Sequence, residues 1–494
     1  MKLLDGLAPL PSGAVGAHVD GSFMPREHPR RIRRPGRKAL FIAYHFPPDA
    51  AVGAIRPAKT AKYLSRLGWD LHVVTVKEKH CLSTDHRRLQ DVTGTPITRT
   101  AVWPTLNQLA IRLRDSIRDL QGKRATGRHV VSSATWPPGP GDRQRTNAAA
   151  VPHEPISARA KRYLAALSEL PDDKVGWLVP AVWASYRLIK REHIKVVVTS
   201  SPPATTALVG LVLSLMTDIR LVTDLRDPWF RPFSRPTDSR TAMSELIQEW
   251  LERQLMRRSS KVITTTEQYR DFLRTFHANV PSDRFCSVWN GYDEEDFAGS
   301  PNPKHSGIFT VAYLGTFYFG RTPKEFLSAL AELVKEGIIQ RSEIRVNLIG
   351  DVRYAEGLSV EELVRSLELD ECVTIRGAVG HREALLEMRR SDLLLLLAPD
   401  QYYSIPAKAF EYVGAAKKIL CLARAGATAD FVRESGHGLV VEPDNVEAIK
   451  NALRELLTQY KGGIDEAGAA DNSKYTRRVL SERLSQLLEE CIAD

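Results

Sequence analysis

The chain has 494 residues, 43% of them apolar and 26% charged, which excludes wholesale disorder and suits a globular protein. That length exceeds what one ordinary hydrophobic core organises, so two domains or more are expected. Lys and Arg number 69 against 59 Asp and Glu, a formal +10 that favours polyanionic partners without choosing among phosphates, acidic lipid and nucleic acid.

Residues before about Arg37 read as a flexible leader, with a basic cluster at Arg30, Arg31, Arg33, Arg34, Arg37 and Lys38. A solvated tail is expected there, an anchor for acidic lipid headgroups being the alternative. Ala39–Tyr44 is an apolar run of strand length, followed by Phe46-Pro47-Pro48 and a loop reaching Gly53. An amphipathic stretch, Arg56–Leu67, stops at Gly68, and Leu71–Val76 is β-branched. This spacing predicts a βαβ unit and hence a parallel sheet. Residues 77–171 are expected to be an insertion, with a basic stretch at Gln108–Arg128 and a mobile Pro/Gly/Ala-rich piece at Trp136–Pro155. Leu109, Ile111, Leu113, Ile117 and Leu120 of the basic stretch fall on one helical face. That face suits a membrane interface or the domain's own surface.

Alternation then resumes. Trp183–Lys190 and Ala204–Leu215 read as helices, and Val196–Thr199, Leu221–Asp224 and Val262–Thr265 as strands. A charged connection, Glu294–His305, leads to a second series. Its strands are Val311–Leu314, Val346–Ile349, Val373–Ile375, Leu393–Leu397, Ile419–Leu422 and Leu439–Val441. Its clearest helices are Glu325–Leu333, Arg382–Arg390 and Ala407–Val413. Two doubly wound, Rossmann-like α/β domains facing across a cleft are therefore expected, an N-terminal one over 38–298 and a C-terminal one over 299–473. A last helix within 474–494 is expected to cross back over the first domain. The cysteines, Cys81, Cys286, Cys372, Cys421 and Cys491, are scattered with no CxxC pair, which suggests neither a disulfide framework nor a zinc site and fits a reducing cytoplasm. Met1–Leu10 makes a poor signal peptide, and Leu393–Ala398, the longest aliphatic run, is too short to span a bilayer.

In open α/β sheets, ligands sit beyond the carboxyl ends of the strands. In the first half the loops to watch are Phe46–Gly53, preceded by His45, then Ser200–Pro203 and Asp224–Trp229. In the second they are Gly315–Lys324, Gly350-Asp351, Gly377–His381, Pro399–Lys408 and Ala423–Ala427. Gly315 and Thr316 close a strand, while Arg321 and Lys324 stand at the start of a helix. Free N–H groups and the positive helix end attract phosphate there, and Arg adds a bidentate fork. The alternative is two solvated surface charges. Lys408 and Glu411 lie three residues apart on one helical face, where an acid can accept ribose hydroxyls and a lysine can neutralise a diphosphate; a surface ion pair is the alternative. Arg226 is expected to pair internally with Asp224 or Asp227, and Asp293 and Asp296 read as helix caps rather than metal ligands. The first helix is not opened by G-x-G-x-x-G, which argues against a nicotinamide cofactor, and no nucleic-acid-reading module is present.

The ordered set Phe46-Pro47-Pro48 with Gly53, Asp224-x-Arg226-Asp227-Pro228-Trp229, Asn290-Gly291-Tyr292-Asp293 and Lys408-x-x-Glu411-Tyr412 resembles retaining glycosyltransferase family 4, of GT-B fold, in the branch of bacterial surface-polysaccharide clusters. The similarity spans about Ala39–Lys450 apart from residues 77–171. It implies transfer from a nucleotide-diphosphate sugar to a glycan or lipid-linked hydroxyl, with retention and with neither metal nor other cofactor, at the cytoplasmic face of a membrane. It implies that Glu411 holds the nucleotide ribose, that Arg321 contacts the donor diphosphate and that Gly53 lets backbone approach donor phosphate and acceptor. The loop positions add Gly315, Thr316, Lys324 and Lys408 to this donor site and put His45, Arg226 and Asp227 on the acceptor side, a hydrogen-bonded structural histidine and an internal ion pair of Arg226 being the alternatives; catalytic roles are expected for Asp227, Arg321 and Lys408. Two positions depart from the pattern: Tyr403 stands where the family has the first acid of E-x7-E, and Thr316 where it often has Arg. A GT-B nucleotide-sugar epimerase and an inactive nucleotide-sugar-binding or membrane scaffold protein are the alternatives.

Overall fold

The computed structural model describes residues 36–109, 168–229, 242–298, 307–318, 320–463 and 471–493. The Pro-rich piece Trp136–Pro155, the basic stretch beyond Leu109 and the leader up to residue 35 lie outside them. Two parallel sheets organise the chain. The first runs β3-β2-β1-β4-β5-β6-β7, from β1 (Lys38–Ala43), β2 (Asp70–Val76), β3 (Ile97–Thr100), β4 (Val196–Ser201), β5 (Arg220–Leu225), β6 (Ser259–Thr264) and β7 (Phe285–Ser287). Its helices are α1 (Ile55–Arg66), α2 (Leu178–Glu192), α3 (Ala204–Met216), α4 (Ala242–Arg258) and α5 (Glu267–Phe276). β1 and β4 are buried almost throughout, the state of central parallel strands covered on both faces.

The second sheet runs β12-β9-β8-β13-β14-β15. Its strands are β8 (Phe309–Thr316), β9 (Ile344–Asp351), β12 (Val373–Arg376), β13 (Leu393–Leu397), β14 (Lys418–Leu422) and β15 (Gly438–Val441), with a small hairpin β10–β11 (Tyr354–Ala355, Leu358–Ser359) beside it. Helices α6 (Lys324–Lys335), α7 (Val360–Ser366), α8 (His381–Arg390), α9 (Ala407–Gly414), α10 (Ala427–Ser435) and α11 (Val446–Lys461) complete this lobe. The strand order reverses between β1 and β4 in one sheet and between β8 and β13 in the other. Crevices open at these reversals, beneath the loops Phe46–Gly53 and Gly315–Lys324.

Residues 77–109 are not a separate insertion. Ile97–Thr100 pairs with β2 as an edge strand, and the turn His86–Val92 lies against α1. The strand Ile-Thr-Arg-Thr is short and half polar, so it carries no apolar run to mark it. Nor are the last members of the basic cluster free: Arg37 bonds the Leu67 carbonyl at 3.0 Å and Glu489 at 2.7 Å, and Lys38 meets Glu192 at 3.2 Å.

The last helix, α12 (Arg477–Ala493), leaves the second lobe and packs on α1. Leu480, Leu484, Leu487, Leu488 and Cys491 join the face of the first sheet that Ala61, Leu64 and Trp69 also cover. The Trp69 indole N–H donates to Ser485 Oγ at 2.9 Å. Where the chain crosses between lobes, Tyr292 N–H donates to Tyr475 O and Arg477 N–H to Tyr292 O, so the outward and return strands run side by side. Gly291 is required at this crossing: a Cβ there would lie 2.3 Å from the Tyr475 carbonyl oxygen. Among the described residues no helix is long and apolar enough to cross a membrane.

Candidate functional site

On the first-lobe side the Phe46–Gly53 loop is held by arginines. Arg226, buried at the end of β5, donates to the carbonyls of Ser201 (3.0 Å), Pro202 (3.0 Å) and Gly53 (2.6 Å). Arg88 donates to Asp49 O at 3.0 Å and Ala51 O at 2.8 Å, and Arg99 to Pro47 O at 2.7 Å. Within the loop, His45 Nδ1 lies 2.7 Å from Asp49 Oδ2. Burial opposes ionisation of Asp49, yet the bonds from His45 and the Ala51 N–H hold its carboxyl below the usual range. Gly53 sits against the His45 ring, its Cβ position 3.4 Å from Cδ2.

The predicted internal pair of Arg226 with Asp224 or Asp227 is corrected by the structure: both carboxylates act on Arg226 by charge, but its donors go to backbone. Asp224 is clasped by Arg56 of α1, through Nε at 3.0 Å and NH2 at 2.8 Å, and by Ser200 Oγ at 3.1 Å. Arg56 also donates to Val288 O at 2.9 Å, tying β5 to the lobe crossing. Of the two predicted caps only Asp293 is one. It accepts Glu295 N–H at 3.1 Å, and also Tyr63 OH at 2.6 Å, Lys62 at 2.6 Å and Lys59 at 2.8 Å. Burial opposes its charge, but the two lysines overcome it and its carboxyl stays far below the ordinary range. Asp296 instead pairs with Lys59 at 2.8 Å.

On the second-lobe side, β8 and β9 stay paired through Gly315↔Gly350 and Thr316↔Asp351, one residue beyond the glycines. Both glycines have positive φ, +140° and +132°, which a side chain would strain. Lys408, from the first turn of α9, reaches back to this strand end. Its ammonium donates to Leu314 O at 3.0 Å, lies 3.7 Å from the centre of the Tyr313 ring, and would be 3.2 Å from a Cβ on Gly315. Withdrawal from water, with the Arg321 charge as second cause, pushes its pKa well below that of an ordinary lysine. Arg321 is itself buried, its guanidinium carbon 4.2 Å from the Tyr318 ring centre. One turn on from Lys408, Glu411 takes His381 Nε2 at 2.9 Å. Burial alone would lower the His381 pKa, but that bond and the charges of Glu411 and Asp296 raise it. Arg88, across the cleft, also lies within charge reach of Glu411.

Residues 117–291 match the family model of a glycosyl transferase 4-like domain, and residues 309–459 that of glycosyl transferases group 1. The chain is a glycosyltransferase of the GT-B fold. No curated protein sequence matches it. A glycosyltransferase from Rickettsia africae superposes with TM-score 0.58 at 12% identity, over 93% of this chain and 100% of that one. Sucrose-phosphate synthase from Thermosynechococcus elongatus gives 0.58 at 14%, over 92% and 99%. Anabaena HepE in complex with UDP gives 0.56 at 14%, over 92% and 100%. At such identities these likenesses show the fold alone.

In this glycosyltransferase Gly315, Arg321, Lys408 and Glu411 come together: Lys408 lies against Gly315, its ammonium and the Arg321 side chain both meet Tyr313, and Glu411 stands one turn along the helix that carries Lys408. Thr316 is exposed beside them, its carbonyl accepting the Tyr313 hydroxyl at 3.0 Å. Lys324 is exposed at the start of α6. His45 and Gly53 share the first-lobe loop, and Asp227 is exposed at the end of β5. Arg226 spends its donors on backbone, so it shapes the loop rather than facing outward. Tyr403 is turned to the first lobe: its carbonyl accepts Thr266 Oγ1 at 2.6 Å, and its ring centre is 5.3 Å from that of Phe272. Sequence reasoning passed over His381, Arg56 and Arg88. Only the place of His381 at a strand-following loop marked it, and nothing local marked the two arginines.

Proposed function

We propose that this glycosyltransferase moves a sugar from a nucleotide-diphosphate sugar to a hydroxyl of a glycan or lipid-linked acceptor, retaining anomeric configuration. The placing of Lys408 and Arg321 on Tyr313 at the Gly315 strand end, with Glu411 one turn beyond Lys408, carries this reading. As the glycosidic bond breaks, negative charge collects on the departing diphosphate. Arg321 is a fixed cation for it and Lys408 one that is charged when the diphosphate binds, and one well-placed group of this kind is worth about 3 kcal/mol of barrier. Neutralisation is assigned to them, with no metal or other cofactor. Glu411, steadied by His381, accepts the ribose hydroxyls. The backbone around Gly53 approaches the donor from the first lobe, and His45 and Asp227 face the acceptor. UDP bound to the Anabaena neighbour supports a nucleotide sugar as donor. The ordered motifs support a place in bacterial surface-polysaccharide assembly, at the inner face of the cytoplasmic membrane.

The test is a panel of nucleotide sugars scored by the melting temperature of the protein. One donor is expected to raise it, and Arg321→Ala and Glu411→Ala are each expected to abolish the rise. Wild-type shifts in both variants would remove the donor site. Turnover of that donor with no acceptor present would favour the epimerase instead.

A further inference from the structure

Arg477 opens α12, the helix that carries the chain back to the first lobe. Only 5% of it is exposed, and its Nε is buried with no hydrogen-bond partner. Among the described residues no carboxylate stands within ion-pair distance of its guanidinium. The acids near enough to act on it by charge are Glu411, Asp293 and Asp224. Each is already engaged elsewhere: Glu411 by His381, Asp293 by Lys59, Lys62 and Tyr63, and Asp224 by both arms of Arg56. Arg56 itself adds a second positive charge close by. Burial first, and Arg56 second, push the Arg477 pKa down to about 9, a sign of poorly compensated charge.

A buried, unmatched guanidinium destabilises a fold unless something anionic completes it. This one lies where the lobes meet, within charge reach of Glu411 in the second lobe and of Arg56 and Asp224 in the first. Its planar fork fits the two oxygens of a phosphoryl group. We infer that Arg477 is an anion-binding residue on the cleft floor, which takes a phosphoryl group of one of the reactants. The identification of that anion as phosphoryl rests on the nucleotide-sugar reading given above; the unmatched cation does not. Two sources share this chemistry, the diphosphate of the donor and a phosphate carried by the acceptor.

The experiment uses the full chain in phosphate-free buffer, with two probes, UDP and inorganic phosphate, titrated by calorimetry into wild type, Arg477→Gln, Arg477→Met and Arg321→Gln. Loss of a charge-assisted bidentate contact is expected to weaken one probe about ten- to hundredfold in both Arg477 variants. Loss for UDP assigns the site to the donor; loss for inorganic phosphate with UDP unchanged assigns it to the acceptor. Arg321→Gln is expected to weaken UDP and leave phosphate binding at Arg477 intact, so failure of the donor site and failure of this one give different patterns. Without ligand, the Arg477 variants are expected to melt at the wild-type temperature or above it, since they relieve an unmatched charge. Unchanged affinity for both probes overturns the proposal. So does a variant that melts lower without ligand or fails to fold, because Arg477 would then be a structural member of the lobe crossing.

Discussion

At Lys408 one ammonium touches a carbonyl, an aromatic face and the edge of a glycine, and its proton is loosely held. A diphosphate placed beside Gly315 would stabilise the charged form. Binding is then coupled to proton uptake at any pH above the depressed pKa of the free protein and below the raised pKa of the complex. The sign follows: within that window affinity falls as pH rises, approaching tenfold per pH unit. Calorimetry of nucleotide binding in two buffers of different ionisation heat is expected to show uptake of up to one proton, absent in Lys408→Met. No uptake in the wild type would take Lys408 out of the donor site. Glu411 and Arg321 owe their place to the same neighbourhood, one a turn further along α9, the other ahead of α6.

Among the elements, α12 does what its expected crossing implies. Its apolar stripe does not serve the lobe it follows but covers the first sheet, beside α1. Leu487 and Leu488 are almost wholly buried, and each contributes about 1.5–3 kcal/mol by leaving water. Leu487→Ala is expected to destabilise the protein by about 2–5 kcal/mol, cavity included. Denaturant unfolding followed by a probe in the first lobe checks this. A loss confined to the second lobe would contradict the packing. The same helix carries Arg477 to the crossing, so stability of the first lobe and the proposed anion site depend on one element.

For the molecule as a whole, the approach of the lobes depends on a small set of contacts. Thr266 donates to the Tyr403 carbonyl, Gln268 to Asp430 at 3.0 Å, and the Phe272 and Tyr403 rings meet. Tyr403 thus serves as a bridge between lobes. Tyr403→Ala removes the ring and leaves the crossing strands intact. It is expected to open the cleft, seen as a larger radius of gyration in solution scattering and a raised KM for the donor. A radius identical to the wild type, with or without nucleotide, would show that the crossing alone sets the lobe angle.

The amino-acid sequence by itself determined the local structure and its alternation. The runs at Ala39–Tyr44, Val196–Thr199 and Leu393–Leu397 became central strands within two residues of their expected ends, because apolar continuity is what a doubly covered parallel strand requires. The order of these elements led to two α/β lobes and to the loops at which Gly53, Gly315 and Lys408 stand. Short or half-polar strands such as Ile97–Thr100 and Phe285–Ser287 escaped notice, since edge pairing leaves little trace in composition. Only the tertiary structure decided the partners of the charges. Arg56 meets Asp224 across 168 residues and Lys62 meets Asp293 across 231. Periodicity reports which face of one element is apolar. It holds no information about which distant face the chain topology brings against it, and long-range ion pairs and the unmatched Arg477 are set by that alone, whereas a local cap such as Asp293 on the Glu295 N–H is legible in the sequence.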